Sequence, residues 1–340
     1  MKVIRQIAGM PPIRRPVCLA AGFFDGLHMG HQAVLRRAMA QARAMNGQAW
    51  AMTFDPHPLK VLCPGAAPLL LTDTLHKLDL LRQSGLDGCL LIRFTRRFAA
   101  TPAETFLRRL GRQLPMLRHI FVGGDWRFGR QGEGDVHLLE TWARPRGITV
   151  HRIPAVRRGG AVVSSTRTRD AIRAGNLTMA ARLLGRPFSI LGTVKGGNRI
   201  GRQLGYPTAN LDPHNEVRPP TGVYAVRAVI GNRVHAGILN YGRHPTIAEA
   251  PAPLMELHVL DRRLNLYGHR IEVFFVKRLR KERQFGSAMA LVAQIRRDIV
   301  KARQALAAAP PKKSRIGALQ TRRVGIIVRP KQRKESEERE

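Results

Sequence analysis

The chain has 340 residues, enough for two domains at roughly 100–200 residues each. Its 44% hydrophobic and 24% charged residues are the composition of a globular chain that buries real cores. Lys and Arg number 58 against 23 Asp and Glu, a formal charge of +35, which favours anionic ligands, phosphate-bearing substrates ahead of nucleic acid.

The start, MKVIRQIAGMPPIRR, is basic and free of acids. It reads as mature protein, because the apolar stretch behind it is short and a motif begins at Gly22, where cleavage would destroy it. VCLAAGFF is expected to be a buried strand and HQAVLRRAMAQARAM a helix with apolar residues at i, i+3 and i+4. QAWAMTF is strand-like, LHKLDLLRQSG a helix closed by Gly85, GCLLIRF a strand, PAETFLRRLGRQL a helix and HIFVGG a strand. That alternation predicts a parallel sheet with crossovers. SSTRTRDAIRAGN, a hydroxyl-rich helix start, and LTMAARLLGRP close this half.

From Phe188 the runs are short, alternating and punctuated by Gly and Pro: FSILGTV, GVYAVRAVI, RVHAGILN, MELHVLD and RIEVFFVKRL. They predict an antiparallel sheet or small barrel. One amphipathic helix, SAMALVAQIRRDIVKARQALAAA, follows and ends at Pro310-Pro311. The remainder is rich in Lys, Arg, Gln and Glu and is expected to be a solvated tail. The expected division is residues 1–186, 187–309 and a basic tail at 310–340. Cys18, Cys63 and Cys89 form no CxxC pair, so neither a disulfide framework nor a zinc site is expected and a reducing, cytoplasmic setting fits. No apolar run approaches the ~20 residues of a membrane span, so no membrane partner is expected.

GFFDGLHMGH, Gly22 to His31, is a strand end, a Gly-rich turn and a helix start. A helix N-terminus offers free N–H groups and a positive dipole end, which suits phosphate. His28 and His31 flank Gly30, which lets the imidazoles approach, and an imidazole donates to phosphate at neutral pH. The plain alternative is a strand–turn–helix with merely exposed histidines. SSTRTR supplies Ser164, Ser165 and Thr166 at a second helix start, with Arg169 as a fixed fork; alone it is a capped helix. Together the two pieces read as two helix N-termini facing one polyphosphate.

In GTVKGGNRIGRQLGYPTANL, Gly192 to Leu211, the glycines, Gly197, Gly201 and Gly205 among them, allow close backbone approach to a nucleotide. Thr208 and Asn210 put hard oxygen ligands on one face of an extended segment, suited to Mg²⁺, unless they are only polar turn caps. In PLMELHVLD, alternation puts Glu256 and His258 on one face and Leu257 on the other. A carboxylate there can accept a hydroxyl proton; the alternative is an outward charge on a half-buried strand.

GFFDGLHMGH, TFDPHP, GGDWRFG and SSTRTR together resemble the HxGH nucleotidyltransferase superfamily. With PTAN, GVYAV, NYGRHPT, ELH, LYG and LRKERQF in order, the chain is similar to the prokaryotic bifunctional riboflavin kinase/FAD synthetase (FMN adenylyltransferase) family over nearly all but the last thirty or so residues. The resemblance implies an α/β Rossmann-like nucleotidyltransferase domain plus a small antiparallel β-barrel flavokinase domain with a C-terminal helix. It implies that Gly22, Phe24, Asp25, His28, Gly30, His31, Ser164, Ser165, Thr166 and Arg169 serve the ATP phosphates, with His28 and His31 catalytic. Asp55, Pro56, His57 and Pro58 of TFDPHP, with Asp125 and Phe128 of GGDWRFG, would place FMN. Gly197, Gly201, Arg202, Gly205 and Pro207 would approach the kinase nucleotide, Thr208 and Asn210 would hold Mg²⁺–ATP, and Glu256 would be the base for the ribityl 5′-hydroxyl. Implied ligands are riboflavin, FMN, ATP and Mg²⁺, the flavin being substrate and product.

The chain departs from the family at Trp126 for Phe, Gly132 for a common Arg, Thr168 for Ile and His244 for a frequent Arg. The competing readings are one surviving activity, and a basic nucleic-acid-binding protein supported by the +35 charge and the tail. Against the latter, no RRM-like basic aromatic patch, zinc motif or helix-turn-helix is legible, and no specific nucleic acid is expected.

Overall fold

A computed structural model describes residues 1–5, 7, 12–196, 201, 204–231, 233–242, 253–260, 262 and 264–309. Gly197, Arg202, His244 and the tail from Pro310 lie outside the described residues.

The first half is built on a six-stranded parallel sheet: β1 (Lys2–Ile4), β2 (Val17–Ala21), β3 (Gln48–Asp55), β4 (Gly88–Arg93), β5 (Leu117–Gly123) and β6 (Thr149–Ile153), in the order β1-β4-β3-β2-β5-β6. All five residues of β2 are buried, as a central parallel strand covered on both faces demands. The helices between are α1 (Met29–Ala44), the short α2 (Pro58–Leu62), α3 (Thr74–Gln83), the short α4 (Arg96–Ala99), α5 (Ala103–Gln113) and α6 (Val136–Ala143). The chain builds outward from β2 through β3 to β4, then returns over the sheet to place β5 on the other side of β2. That reversal makes β2 the topological switch point of the sheet, and doubly wound sheets bind ligands at the C-terminal end of such a strand.

A two-residue hairpin, β7 (Arg157–Arg158) with β8 (Ala161–Val162), leads into α7 (Ser165–Arg173) and α8 (Leu177–Leu184). The second half is a closed antiparallel barrel of β9 (Ser189–Lys195), β10 (Ala209–Pro213), β11 (Gly222–Ile230), β12 (Arg233–Gly242), β13 (Leu254–Val259) and β14 (Arg270–Arg280), ordered β10-β13-β12-β11-β14-β9. Alternation in β13 buries Met255, Leu257 and Val259 and leaves Glu256 and His258 on the outer face. The helix α9 (Ala288–Ala308) is capped by Ser287 and packs on β11, β12 and β14. Its buried stripe is only half apolar: Gln294 and Asp298 precede Ala302 and Leu306. They are tolerated because Arg283 binds Gln294 at 2.6 Å and Arg280 binds Asp298 at 2.9 Å.

The halves share a core. Ala171 and Ile172 of α7 and Ala180, Leu183 and Leu184 of α8 pack in one cluster with barrel residues such as Tyr224, Val226 and Phe275, and with Leu71 and Val163. At this seam Glu272 of β14 is 8% exposed and takes hydrogen bonds from Ser189 Oγ at 2.7 Å and His76 Nε2 of α3 at 3.0 Å. Burial works to raise its pKa, but His76, Ser189 and the charge of Arg186 outweigh it and hold it below the ordinary value.

Candidate active sites

The first site forms where β2 meets α1. His28 is the N-cap of α1, and the His31 backbone N–H donates to His28 Nδ1 at 3.3 Å. Nδ1 is thereby an acceptor, so neutral His28 carries its proton on Nε2 as a donor. The two imidazoles stack at 3.6 Å between centroids and 16° between planes. Gly30 makes this possible, since a Cβ there would stand 3.1 Å from the His28 ring. His31 Nδ1 is buried with no hydrogen-bond partner among the described residues, an orphan that a ligand would satisfy.

Burial first, with repulsion from Arg186 and Arg169, pushes the His28 pKa down to about 4 against the opposing pull of its own carbonyl. Burial, His28 and Lys77 hold His31 well below its ordinary value, and burial leads in taking His57 to about 4. The imidazoles are neutral donors at physiological pH. An unfolded chain protonates its histidines near 6.5 while folded His28 waits until about 4, so stability is full above about pH 6.5 and falls as pH drops toward 4. His28 alone contributes a loss of about 2 kcal/mol at pH 5. Urea denaturation at pH 7 and pH 5 should show a smaller drop for His28→Asn than for the wild type; equal drops would refute the linkage.

The second helix start meets the first. Ser164 caps α7, Ser165 Oγ donates to Asp25 O at 3.2 Å, and Arg169 pairs with Asp25 at 3.1 Å while its Nη1 reaches Thr166 Oγ1 at 3.4 Å. Asp25 is 2% exposed and also accepts from the Leu71 and Thr72 amides. It and Phe24, 1% exposed and edge-on to His31 at 5.4 Å, therefore act through Arg169 and His31 and present nothing to solvent. Gly22 N–H donates to Met52 O at 3.1 Å, joining the turn to β3. Buried Thr168 donates its hydroxyl to Ser164 O at 2.8 Å, which explains how a polar residue stands in the apolar place.

TFDPHP borders the cradle. His57 lies 4.1 Å from the Phe23 ring, and Asp55 accepts from Thr74 Oγ1 of α3 at 2.5 Å. Pro56 is exposed and Pro58 opens the short α2. Asp125 is exposed beyond β5, whereas Phe128 is 7% exposed and stacked under Trp126 at 4.7 Å. A file of rings, Phe54, Phe98, Phe106 and Phe128, connects that loop to TFDPHP. Gly132 has φ +72, where an Arg would be strained.

The second site is a row across three strands of the barrel's outer face. Asn210 of β10 is in register with Glu256 of β13, and Glu256 with Asn240 of β12, whose Nδ2 is 3.5 Å from Glu256 Oε2. His258 Nδ1 donates to Pro207 O at 2.8 Å, pinning the start of PTAN against β13. Gly201 has no room for a side chain, since a Cβ there would stand 2.5 Å from Tyr206 O, and Gly205 has φ +85. A cavity of about 550 Å³, lined by Pro207, Thr208, Ala209, Arg262 and Tyr267 among others, adjoins Thr208 but not Glu256. Thr208 lines the cavity and precedes Asn210 of the row by two residues in the chain.

Two residues escaped the sequence reading. Asn240 carried a signal in NYG but no assigned role; Lys77 of α3, 3% exposed beside Phe23 and Thr53, carried none.

Residues 10–167 match the FAD synthetase family model and residues 184–306 the riboflavin kinase family model. The bifunctional riboflavin kinase/FMN adenylyltransferase of Escherichia coli (strain K12) is 39% identical over 89% of this chain and 97% of its own length. That of Pseudomonas fluorescens is 36% identical over 91% and 98%. A crystal structure from Streptococcus pneumoniae, described as a macrolide-efflux protein, superposes with a TM-score of 0.76 at 28% identity, covering 88% of this chain and 98% of that one. With both halves matched and near-complete relatives above 30% identity, the chain belongs to the bifunctional riboflavin kinase/FMN adenylyltransferase family.

Proposed function

We propose that this chain makes both flavin cofactors in sequence: ATP-dependent phosphorylation of riboflavin to FMN, then adenylylation of FMN to FAD with release of pyrophosphate. The observation that supports it most is the coexistence of the stacked His28–His31 pair at a helix start with the Asn210–Glu256–Asn240 row.

In the kinase, Glu256 takes the proton of the ribityl 5′-hydroxyl as its oxygen attacks the γ-phosphorus of ATP and the bond to the leaving ADP breaks, and Asn240 orients the carboxylate through Oε2. We assign the ATP to the cavity lined by Pro207 and Thr208, with Gly197, Gly201, Arg202 and Gly205 of the loop before it as further nucleotide-binding residues. No cluster of three or more His, Cys, Asp or Glu among the described residues is built to hold a metal. Thr208 and Asn210 fit Mg²⁺ that arrives on the ATP phosphates and gains only one or two protein oxygens. A cation held there would neutralise charge on the transferred phosphoryl group.

In the adenylyltransferase, an FMN phosphate oxygen attacks the α-phosphorus of ATP and the bond to pyrophosphate breaks. The protein aligns the anions and offers donors from His28, His31, Gly30 and the Ser164–Thr166 helix start, with TFDPHP, Asp125 and Phe128 on the flavin side. The division is 1–186 for adenylyl transfer, 187–309 for the kinase and 310–340 as a tail that neither site needs; the first barrel strand begins at Ser189. No helix among the described residues is long and apolar enough to cross a membrane. We place the enzyme in the cytoplasm, a reducing setting that suits its unpaired cysteines.

Incubation with riboflavin, ATP and Mg²⁺, followed by separation of the flavins, should show FMN rising and then FAD; unchanged riboflavin refutes the proposal. In the same assay Asn210→Ala should require several-fold more Mg²⁺ for the kinase step. An unchanged titration would leave Thr208 and Asn210 as turn residues.

A further inference from the structure

Two phosphate groups must meet in the adenylyltransferase cradle, and their repulsion must be offset by positive charge. The imidazoles of His28 and His31 are neutral, so they donate hydrogen bonds but bring no net charge. Arg169 is already paired with Asp25, and Arg186 donates to the carbonyls of Gly26 and Leu27 that shape the turn. One further cation is built into the site.

Lys77 is 3% exposed, and lysines are almost never buried without an ionic partner. Its Nζ donates to Phe54 O at 2.8 Å, lies 3.4 Å from Thr53 Oγ1 and sits 4.3 Å from the centre of the Phe23 ring. No carboxylate forms an ion pair with it among the described residues. Phe23 belongs to the turn that precedes the histidines, and Thr53 and Phe54 open TFDPHP. Thr53 Oγ1 donates to Phe23 O at 2.7 Å, so the ammonium lies behind the bond that ties the two walls of the site together. The ionisable groups facing it are Asp25, Asp55, Asp73 and Cys89, with His31 and His57 from the two walls. Burial lowers its pKa to about 8 against the opposing carboxylates. An apolar side chain would fill this place without the desolvation cost of an ammonium, so its charge calls for a use.

We propose that Lys77 is a positioning residue for adenylyl transfer, holding a fixed positive charge behind Phe23 between the phosphate cradle and TFDPHP. The inference rests on reading this half as the adenylyl-transfer site. Anionic FMN and ATP stabilise the protonated amine, so the substrate complex keeps its charge to higher pH than the free enzyme. The neutral form of the free enzyme gathers above pH about 8.

The test is kcat/KM for FMN adenylylation against pH, measured with FMN, ATP and Mg²⁺. The wild type should lose activity above pH about 8, while kcat at saturation holds to higher pH. Lys77→Met should lower kcat/KM by ~100-fold, abolish the alkaline limb and leave riboflavin phosphorylation intact. Lys77→Arg should recover part of the rate and move the limb upward. A flat wild-type profile overturns the inference without any variant, so a misfolded Lys77→Met leaves it open to refutation. A Lys77→Met enzyme within threefold of wild type, or one that keeps the alkaline limb, overturns it as well. If His31→Ala loses FAD formation and Lys77→Met does not, only this inference fails; if neither loses it, the adenylyl-site reading fails too.

Discussion

Glu256→Gln is expected to form FMN roughly 100- to 10,000-fold more slowly, the range for loss of a general base, while converting supplied FMN to FAD at the normal rate. The substitution preserves shape and the contact with Asn240 but removes most of the basicity. The side chain is on the outer face of β13, half-buried, and its neighbours in register are Asn210 and Asn240. Neither asparagine titrates, so neither replaces the lost proton acceptor. The barrel core lies on the opposite face, with Met255 and Leu257, and the variant should therefore fold. Near-normal riboflavin phosphorylation in this variant would remove Glu256 from the mechanism.

His31→Ala should stop the sequence at FMN. FAD formation from FMN should fall by about 100-fold or more, the usual effect of losing a positioned donor to developing charge, and riboflavin consumption should continue. The substitution removes a ring stacked on His28 and the buried Nδ1 that lacks a protein partner. Its backbone N–H still donates to His28, so the helix cap survives. The double variant His31→Ala, Glu256→Gln should perform neither step and keep its circular dichroism. Should His31→Ala instead abolish FMN production and spare FMN adenylylation, the two reactions are assigned to the wrong halves. Normal rates of both would make His31 a bystander.

The cradle was legible because its signals are local. A fully apolar strand, a glycine turn and a histidine N-cap lie within fifteen or so consecutive residues, and the hydrogen bonds between side chain and backbone that shape the turn join near neighbours. The barrel strands other than β10 were legible for the same reason, since alternation in β13 reads directly as a buried and an outer face. The short edge strand β1 and the strands β6 and β10 left little trace, because three to five residues carry too few periods to declare a strand unless, as in β2, every one is apolar.

Sequence alone determined the two-part architecture, the chemistry-bearing residue types and their local backbone settings, because each is written in short-range pattern. Tertiary structure alone decided which polar groups are buried and against what. Lys77 stands in LHKLDLLRQ like any solvent-facing lysine, yet the fold carries it under Phe23. Glu272 stands in RIEVFFVKRL with nothing local to mark it as buried, yet it meets His76 from far earlier in the chain. Asp25 reads as a phosphate-site residue, yet it is turned inward to clamp Arg169 and the Leu71–Thr72 amides. Burial depends on partners distant in sequence, and no local period encodes them; the free energy of a buried charge is therefore settled only when the chain has closed around it.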